Sequence, residues 1–214
     1  MRNGNLIQYL RLFPDMDRRP LLQQVATAVE FLHSSCSMIH GDIKCENILI
    51  SDNGTAMLAD FGLSTFIDVD TTSRTLTGSR RMMSIRFAAP ELVIPGETGN
   101  GTEETDRPPR KTPATDVYAF GMTIIQAFTG RAPWDGCTDI MVIMNIYQRK
   151  THPRPAVTCG LCDQWWNLCV KCCAHHPWDR PTMVMVLHDL NPMGPCVVPV
   201  SGNADAFEGL PRPL

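Results

Sequence analysis

Residues 39–62 read "IHGDIKCENILISDNGTAMLADFG" and place Asp42, Lys44, Asn47 and Asp60 around short apolar runs. "NILI" and "TAMLA" flank Ser51-Asp52-Asn53-Gly54, a turn signal between two apolar runs, which predicts a β-hairpin. That hairpin lies between Asn47 and Asp60, so it folds the two ends of the stretch toward each other. The spacing is therefore a folding device that converges separated polar side chains on one pocket. Two carboxylates, an amide and a cation form a set suited to phosphoryl transfer, which asks for positioned charge rather than covalent help. One carboxylate orients the attacking hydroxyl, the cation neutralises the moving group, and hard oxygen donors suit Mg²⁺.

Outward from this stretch, composition bounds the class. The chain has 214 residues, 43% of them hydrophobic, enough to bury a full core as one domain or one large lobe. Its net charge of −3 supplies no basic field, so no nucleic-acid partner is expected. No apolar run reaches bilayer length, so no membrane partner is expected either. The first residues, Met1-Arg2-Asn3-Gly4-Asn5, lack a signal-peptide core. Nine cysteines without a disulfide-like framework fit a reducing, cytoplasmic compartment. The pairs Cys159/Cys162 and Cys169/Cys172, with Cys173, His175 and His176 nearby, raise a zinc reading. The gap between the pairs is short for a zinc ribbon. Leu161, Trp165, Leu168 and Cys172 recur at helical spacing, so a helix with core cysteines is preferred.

Leu22, Val25, Ala26, Val29 and Leu32 predict an amphipathic helix over residues 18–34. Residues 63–89 carry many hydroxyls and no period, and read as a loop. Residues 95–113 are Gly-, Pro- and charge-rich, and read as a disordered insertion. "DVYAFGMTIIQAF" is apolar on nearly every face, as expected of a helix buried in mid-domain. Thr138 and Asp139 cap a run containing Ile140, Ile143, Met144 and Tyr147. Pro181 is placed to open a final helix carrying Met183, Val184, Leu187 and Leu190. Residues 191–214, with five prolines and no period, read as a Pro-rich extended tail. The expected fold class is mainly α, a helical body with one small hairpin.

Several motifs now combine. "HGDIKCEN" resembles the catalytic loop of eukaryotic protein kinases, "DFG" their metal-binding motif, and Ala89-Pro90-Glu91 the end of their activation segment. With "DVYAFG" and "HPWDRPTM" the resemblance covers roughly residues 3–190 in family order. "SIRFAAPE" and Lys44 resemble the serine/threonine-specific, tyrosine-kinase-like branch. The resemblance implies the helical C-terminal lobe of a kinase domain, over residues 1–190, that transfers the ATP γ-phosphate to protein serine or threonine hydroxyls in signalling. It implies Asp42 as catalytic base and Lys44 against the transferring phosphate. Asn47 and Asp60 would hold Mg²⁺, and Leu49 would lie under the adenine ring. His40 and Phe61 would stack in the packed column, with Gly62 completing the "DFG" turn. Glu91 would pair with Arg180, and Asp116 would brace the catalytic loop. Ser84 falls where a hydroxyl touching that loop favours serine/threonine substrates.

Other readings share part of this signature. Small-molecule phosphotransferases often show "HGD" followed by an asparagine, but generally lack the DFG-to-APE segment and the "DVYAFG" helix. A non-catalytic, pseudokinase-like interaction module on the same lobe is the main alternative. Two departures from the family pattern stand out. Gly41 replaces an arginine that in many kinases pairs with a phosphorylated loop residue, so phosphorylation at Thr75, Thr77 or Ser79 is not expected to be read through this position. "NGNLIQYL" resembles the segment just after the hinge. No Gly-rich loop, "VAIK"-like lysine or partner glutamate precedes it in these residues, so half the nucleotide site is expected to come from a missing or separate N-terminal lobe. Without that lobe, the roof around Leu49, Phe61 and Leu63 would be an exposed apolar patch.

Overall fold

Two long helices supply the largest shares of the core, and each is legible in its caps. The computed structural model describes residues 2–67, 85–94, 110–156 and 159–194. Helix α1 (Leu6–Leu12) opens with a capping box between Asn5 and Gln8. Helix α2 (Arg18–Ser34) begins at Asp17, whose carboxylate accepts the Arg19 amide, and it spans the bounds its periodicity predicts. It buries Leu21, Leu22, Val25, Ala26, Val29 and Leu32 on one face. Arg18 at its start is buried too, donating to the carbonyls of Ala127, Pro14 and Met16.

Next come strand β1 (Met38–Ile39), a 3₁₀ turn (Cys45–Asn47) and the predicted hairpin of β2 (Ile48–Ile50) with β3 (Ala56–Leu58). Its antiparallel register pairs Ile48 with Leu58, Leu49 with Met57 and Ile50 with Ala56. Ser51 and Gly54 close the turn: the Ser51 amide donates to Thr55 O, and Gly54 adopts φ +81°. A second two-stranded sheet pairs β1 with β4 (Thr65–Phe66). The sequence reading places Thr65 and Phe66 in a loop, because a two-residue strand is too short to show a period. After a 3₁₀ turn (Phe61–Leu63) and β4, the described chain resumes with a 3₁₀ turn (Ile85–Phe87) and helix α3 (Pro90–Val93). The candidate sites Thr75, Thr77, Ser79 and Ser84 and most of the expected insertion, residues 95–109, lie outside the described residues.

Helix α4 (Pro113–Thr129) is the central element. At its start the Thr112 amide donates to Thr115 Oγ1 at 3.2 Å, and Gly130 at φ +68° ends it in the left-handed cap that glycine favours. Every residue from Thr115 to Phe128 is buried, as the all-round apolar pattern requires. Gly121 lets helix α6 (Asp163–Cys172) approach: a Cβ there would lie 2.6 Å from Cys173 Sγ and 2.8 Å from Cys172 Cβ. The cysteines of α6 thus work as small core residues. Burial pushes the Cys169, Cys172 and Cys173 thiols up, the last to about 12, and among the described residues no three or more His, Cys, Asp or Glu side chains group as a metal site.

Helix α5 (Asp139–Tyr147) starts at the expected Thr138 cap, but buries Val142 and Ile146. Ile140, Met141, Met144 and Tyr147 face outward, at least half exposed or nearly so. Apolar spacing located this helix but not its inner face, because nearly all its residues are apolar. Helix α7 (Met183–Leu190) begins two positions after the proline expected to open it: Thr182 is its N-cap, and Pro181 precedes the cap. Its buried residues are Met183, Val186 and Leu190, while Val184 is exposed. The start of the expected tail is anchored rather than free: Arg19 donates to Met193 O at 2.8 Å, and Gln23 to Asn191 Oδ1 at 2.9 Å. Residues 195–214 lie outside the described residues. Among the described residues no helix is long and apolar enough to cross a membrane.

Candidate active site

The hairpin does bring its flanks together. The ladder continues past β3, with the Ala59 amide donating to Asn47 O at 2.8 Å, so Asp60 follows directly beside Asn47. Within the loop before the hairpin, Asp42 Oδ2 accepts from Lys44 Nζ at 2.7 Å and from Asn47 Nδ2 at 2.8 Å. Asn47 Nδ2 also donates to the Asp42 carbonyl at 2.8 Å. Asp42 and Asn47 are both buried, and Lys44 is partly so. Two donors on one carboxylate oxygen hold the Asp42 side chain in one orientation.

Asp60 is exposed and sits in the left-handed region at φ +60°, ψ +67°. That conformation costs a non-glycine residue about 1–2 kcal/mol, and aspartate tolerates it by bonding locally. Here Asp60 Oδ1 accepts the Gly62 amide at 3.3 Å. Strain at a polar turn residue is the pattern found where side-chain aim matters. The backbone ladder, through the Ala59 amide on Asn47 O, is what places Asp60 beside Asn47.

His40 lies under this loop, fully buried, with its ring 5.1 Å from that of Phe61. Its Nδ1 accepts the Asp42 amide at 3.3 Å, so Nε2 carries the proton and donates to Ala59 O at 3.1 Å. Burial lowers its pKa, which agrees with a neutral ring holding both bonds. His40 is thus a strut between the loop and β3. Phe61 is exposed, and Leu49 and Leu63 are half-buried, so the roof surface combines these apolar side chains. Leu49 pairs with Met57 and also bridges to Asn5.

Helix α4 supplies the platform. Asp116, 0% exposed, accepts the His40 amide at 2.8 Å on Oδ2 and the Gly41 amide at 2.8 Å on Oδ1. His33 Nε2 is 2.9 Å from the same Oδ2. Further along, Thr123 Oγ1 donates to Ile43 O at 3.3 Å. Gln126 Oε1 accepts the Cys45 amide at 2.9 Å, and its Nε2 donates to Glu46 at 2.7 Å. Asp116, Thr123 and Gln126 lie on one face of α4 and bind the loop at successive positions. Asp116 is picked out by its motif, whereas Thr123, Gln126 and His33 are not. The readable signal was polar residues inside an otherwise apolar helix, which must find buried partners.

Glu91 and Arg180 form a bidentate pair, 2.7 Å at each contact, with side chains 7% and 0% exposed. Arg180 also donates to the carbonyls of Ala174, Ala114 and His175, so the guanidinium ties α3, α4 and the turn after α6.

Comparison with known proteins follows the same lines. The family model described as "Protein kinase domain" matches residues 1–190. Mitogen-activated protein kinase kinase kinase 2 of Arabidopsis thaliana is 29% identical over 181 residues, covering 84% of this chain and 25% of that protein. Mitogen-activated protein kinase kinase kinase ANP1 of the same plant is 30% identical, covering 84% of this chain and 24% of its own length. Tyrosine-protein kinase FRK of Homo sapiens is 27% identical over 191 residues, covering 85% of this chain and 34% of that protein. The chain thus spans about a quarter of the length of the two plant relatives. A buried loop of His40 to Asn47 carried on α4, a hairpin returning to Asp60 and a family match over residues 1–190 agree, and the chain belongs to the protein kinase domain family.

Proposed function

We propose that this chain provides the catalytic-loop and metal-binding side of a serine/threonine protein kinase, moving the γ-phosphoryl group of ATP to a protein hydroxyl. The observation that supports it most is the shared Asp42 Oδ2, held by both Lys44 and Asn47. Asp42 orients the substrate hydroxyl and takes its proton as the oxygen attacks. Lys44, beside that carboxylate, meets the negative charge of the moving group. Asn47 and Asp60 are the residues that would hold Mg²⁺. Their oxygens are the hard donors that ion prefers, and Asn47 has its amide nitrogen engaged with Asp42, which leaves Oδ1 as its metal-facing atom. When bound, the ion neutralises phosphate charge. Leu49 offers the half-buried apolar surface suited to an adenine ring.

Serine/threonine selectivity is read from Lys44, while the tyrosine-kinase relative keeps the family itself broad. The phosphate-covering loop and its lysine are not among these residues, so the reading includes a second lobe in the working enzyme. A cytoplasmic, reducing setting is part of the same reading, supported by the buried thiols of Cys45, Cys169 and Cys172.

Paramagnetic Mn²⁺, used in place of Mg²⁺, tests the site. It is expected to broaden the amide resonances of Asn47 and Asp60, and Asp60→Ala is expected to abolish that broadening. Broadening confined to other surfaces would overturn the assignment. Calorimetry on the 214-residue chain is expected to give Mg-ATP affinity weaker than micromolar; micromolar binding would contradict the two-lobe reading.

A further inference from the structure

Position 41 sits between the strut His40 and the proposed base Asp42, and glycine there is a geometric requirement. Its φ is +76°, and a Cβ would lie 2.5 Å from Lys111 Nζ, 2.7 Å from Lys111 Cδ and 2.9 Å from the Leu63 carbonyl oxygen. The Lys111 side chain, rising from the residues that lead into α4, therefore runs through the volume a side chain at 41 would fill. Its ammonium donates to Leu63 O at 2.8 Å. Leu63 closes the 3₁₀ turn that Asp60 opens. One residue on, Ser64 Oγ donates to His40 O at 3.1 Å. The segment after Asp60 is thus lashed twice, to the loop itself by Ser64 and to the foot of α4 by Lys111.

A lysine with no special task extends its ammonium into water. Lys111 instead brings its charge inward to a backbone carbonyl, and burial lowers its pKa while the carboxylates of Asp116 and Asp42 raise it. Desolvating a cation for one neutral acceptor is costly, and those two carboxylates offset part of the cost.

We propose that Lys111 is a positioning residue of the phosphotransfer site: a cation intrinsic to the chain that occupies the space beside Gly41 and pins the Leu63 carbonyl, fixing the turn that carries Asp60. Its relevance to phosphotransfer rests on the function proposed above, but the contact itself is tested without metal or nucleotide.

Amide hydrogen exchange on the metal-free 214-residue chain reads it out. Lys111→Met keeps length and removes charge, and is expected to speed exchange at Gly62 and Ser64 by about tenfold, with α4 core amides such as Ile124 unchanged. Lys111→Arg is expected to return Gly62 and Ser64 to within about threefold of the parent. Gly41→Ala, whose Cβ displaces Nζ, is expected to behave as Lys111→Met and serves if that variant fails to fold. Exchange at Gly62 and Ser64 within about twofold of the parent in both Lys111→Met and Gly41→Ala overturns the proposal. So does a rise matched at Ile124, which marks general loosening. Because Mn²⁺ binding is read separately, failure of this contact and failure of the metal site give different results.

Discussion

Replacing Asp116 by asparagine probes the coupling between the core helix and the catalytic loop. The native carboxylate is 0% exposed and meets three nitrogens, those of the His40 amide, the Gly41 amide and the His33 ring, at 2.8, 2.8 and 2.9 Å. Asparagine fills the same volume but has one acceptor oxygen. Its best placement puts that oxygen where Oδ2 serves His40 and His33, leaving an NH₂ group facing the Gly41 amide. One buried donor loses its partner, costing about 1–3 kcal/mol, and two bonds to a charge become bonds to a neutral group, costing roughly 1 kcal/mol more. The sum is about 2–4 kcal/mol. At roughly 2–4 °C per kcal/mol for a domain of this size, Tm should fall by about 4–16 °C. Thermal unfolding by circular dichroism measures the total, and amide exchange locates it, with Gly41 accelerating by about tenfold or more. A loss below about 1 kcal/mol with Gly41 exchange unchanged would refute the claim that α4 holds the loop through this carboxylate.

Other consequences follow from buried charge, protonation and packing. Glu91→Ala leaves the Arg180 guanidinium, 0% exposed, without its counter-charge, and should cost about 3–5 kcal/mol in urea unfolding; a loss under about 1 kcal/mol contradicts the pairing. His40 and His152 both have pKa values lowered from 6.5 by burial. Each accepts a backbone N–H at a ring nitrogen, His152 Nε2 from Trp134 at 2.9 Å. The unfolded chain therefore binds protons that the folded chain refuses, so their contribution is complete above pH ~6.5 and declines as pH falls below it. Urea midpoints compared at neutral and mildly acidic pH should show that decline, and a flat profile would count against it. Gly121→Ala forces a methyl group into the α4–α6 contact and should destabilise by about 1–3 kcal/mol; a neutral result would mean that the helices part easily.

Much of the architecture is written locally. The 3.6-residue repeat of Leu22, Val25, Ala26, Val29 and Leu32 is a property of one segment, and α2 follows it from Arg18 to Ser34. The all-round apolar character of residues 116–128 likewise dictates a buried helix, and Ser51 to Gly54 dictates a turn whose strands must pair. The order of the motifs named the family. What local pattern could not carry is orientation and distant partnership. Helix α5 is apolar on most sides, so only packing decides that Val142 and Ile146 turn inward while Ile140 and Tyr147 do not. Strands β1 and β4 are two residues each, too short for any alternation to register. The Gly41 amide meets Asp116 across 75 residues, and Lys111 meets Leu63 across 48. Such contacts arise when separate elements share one core, and the energy that selects them is the burial of polar groups that must find partners there.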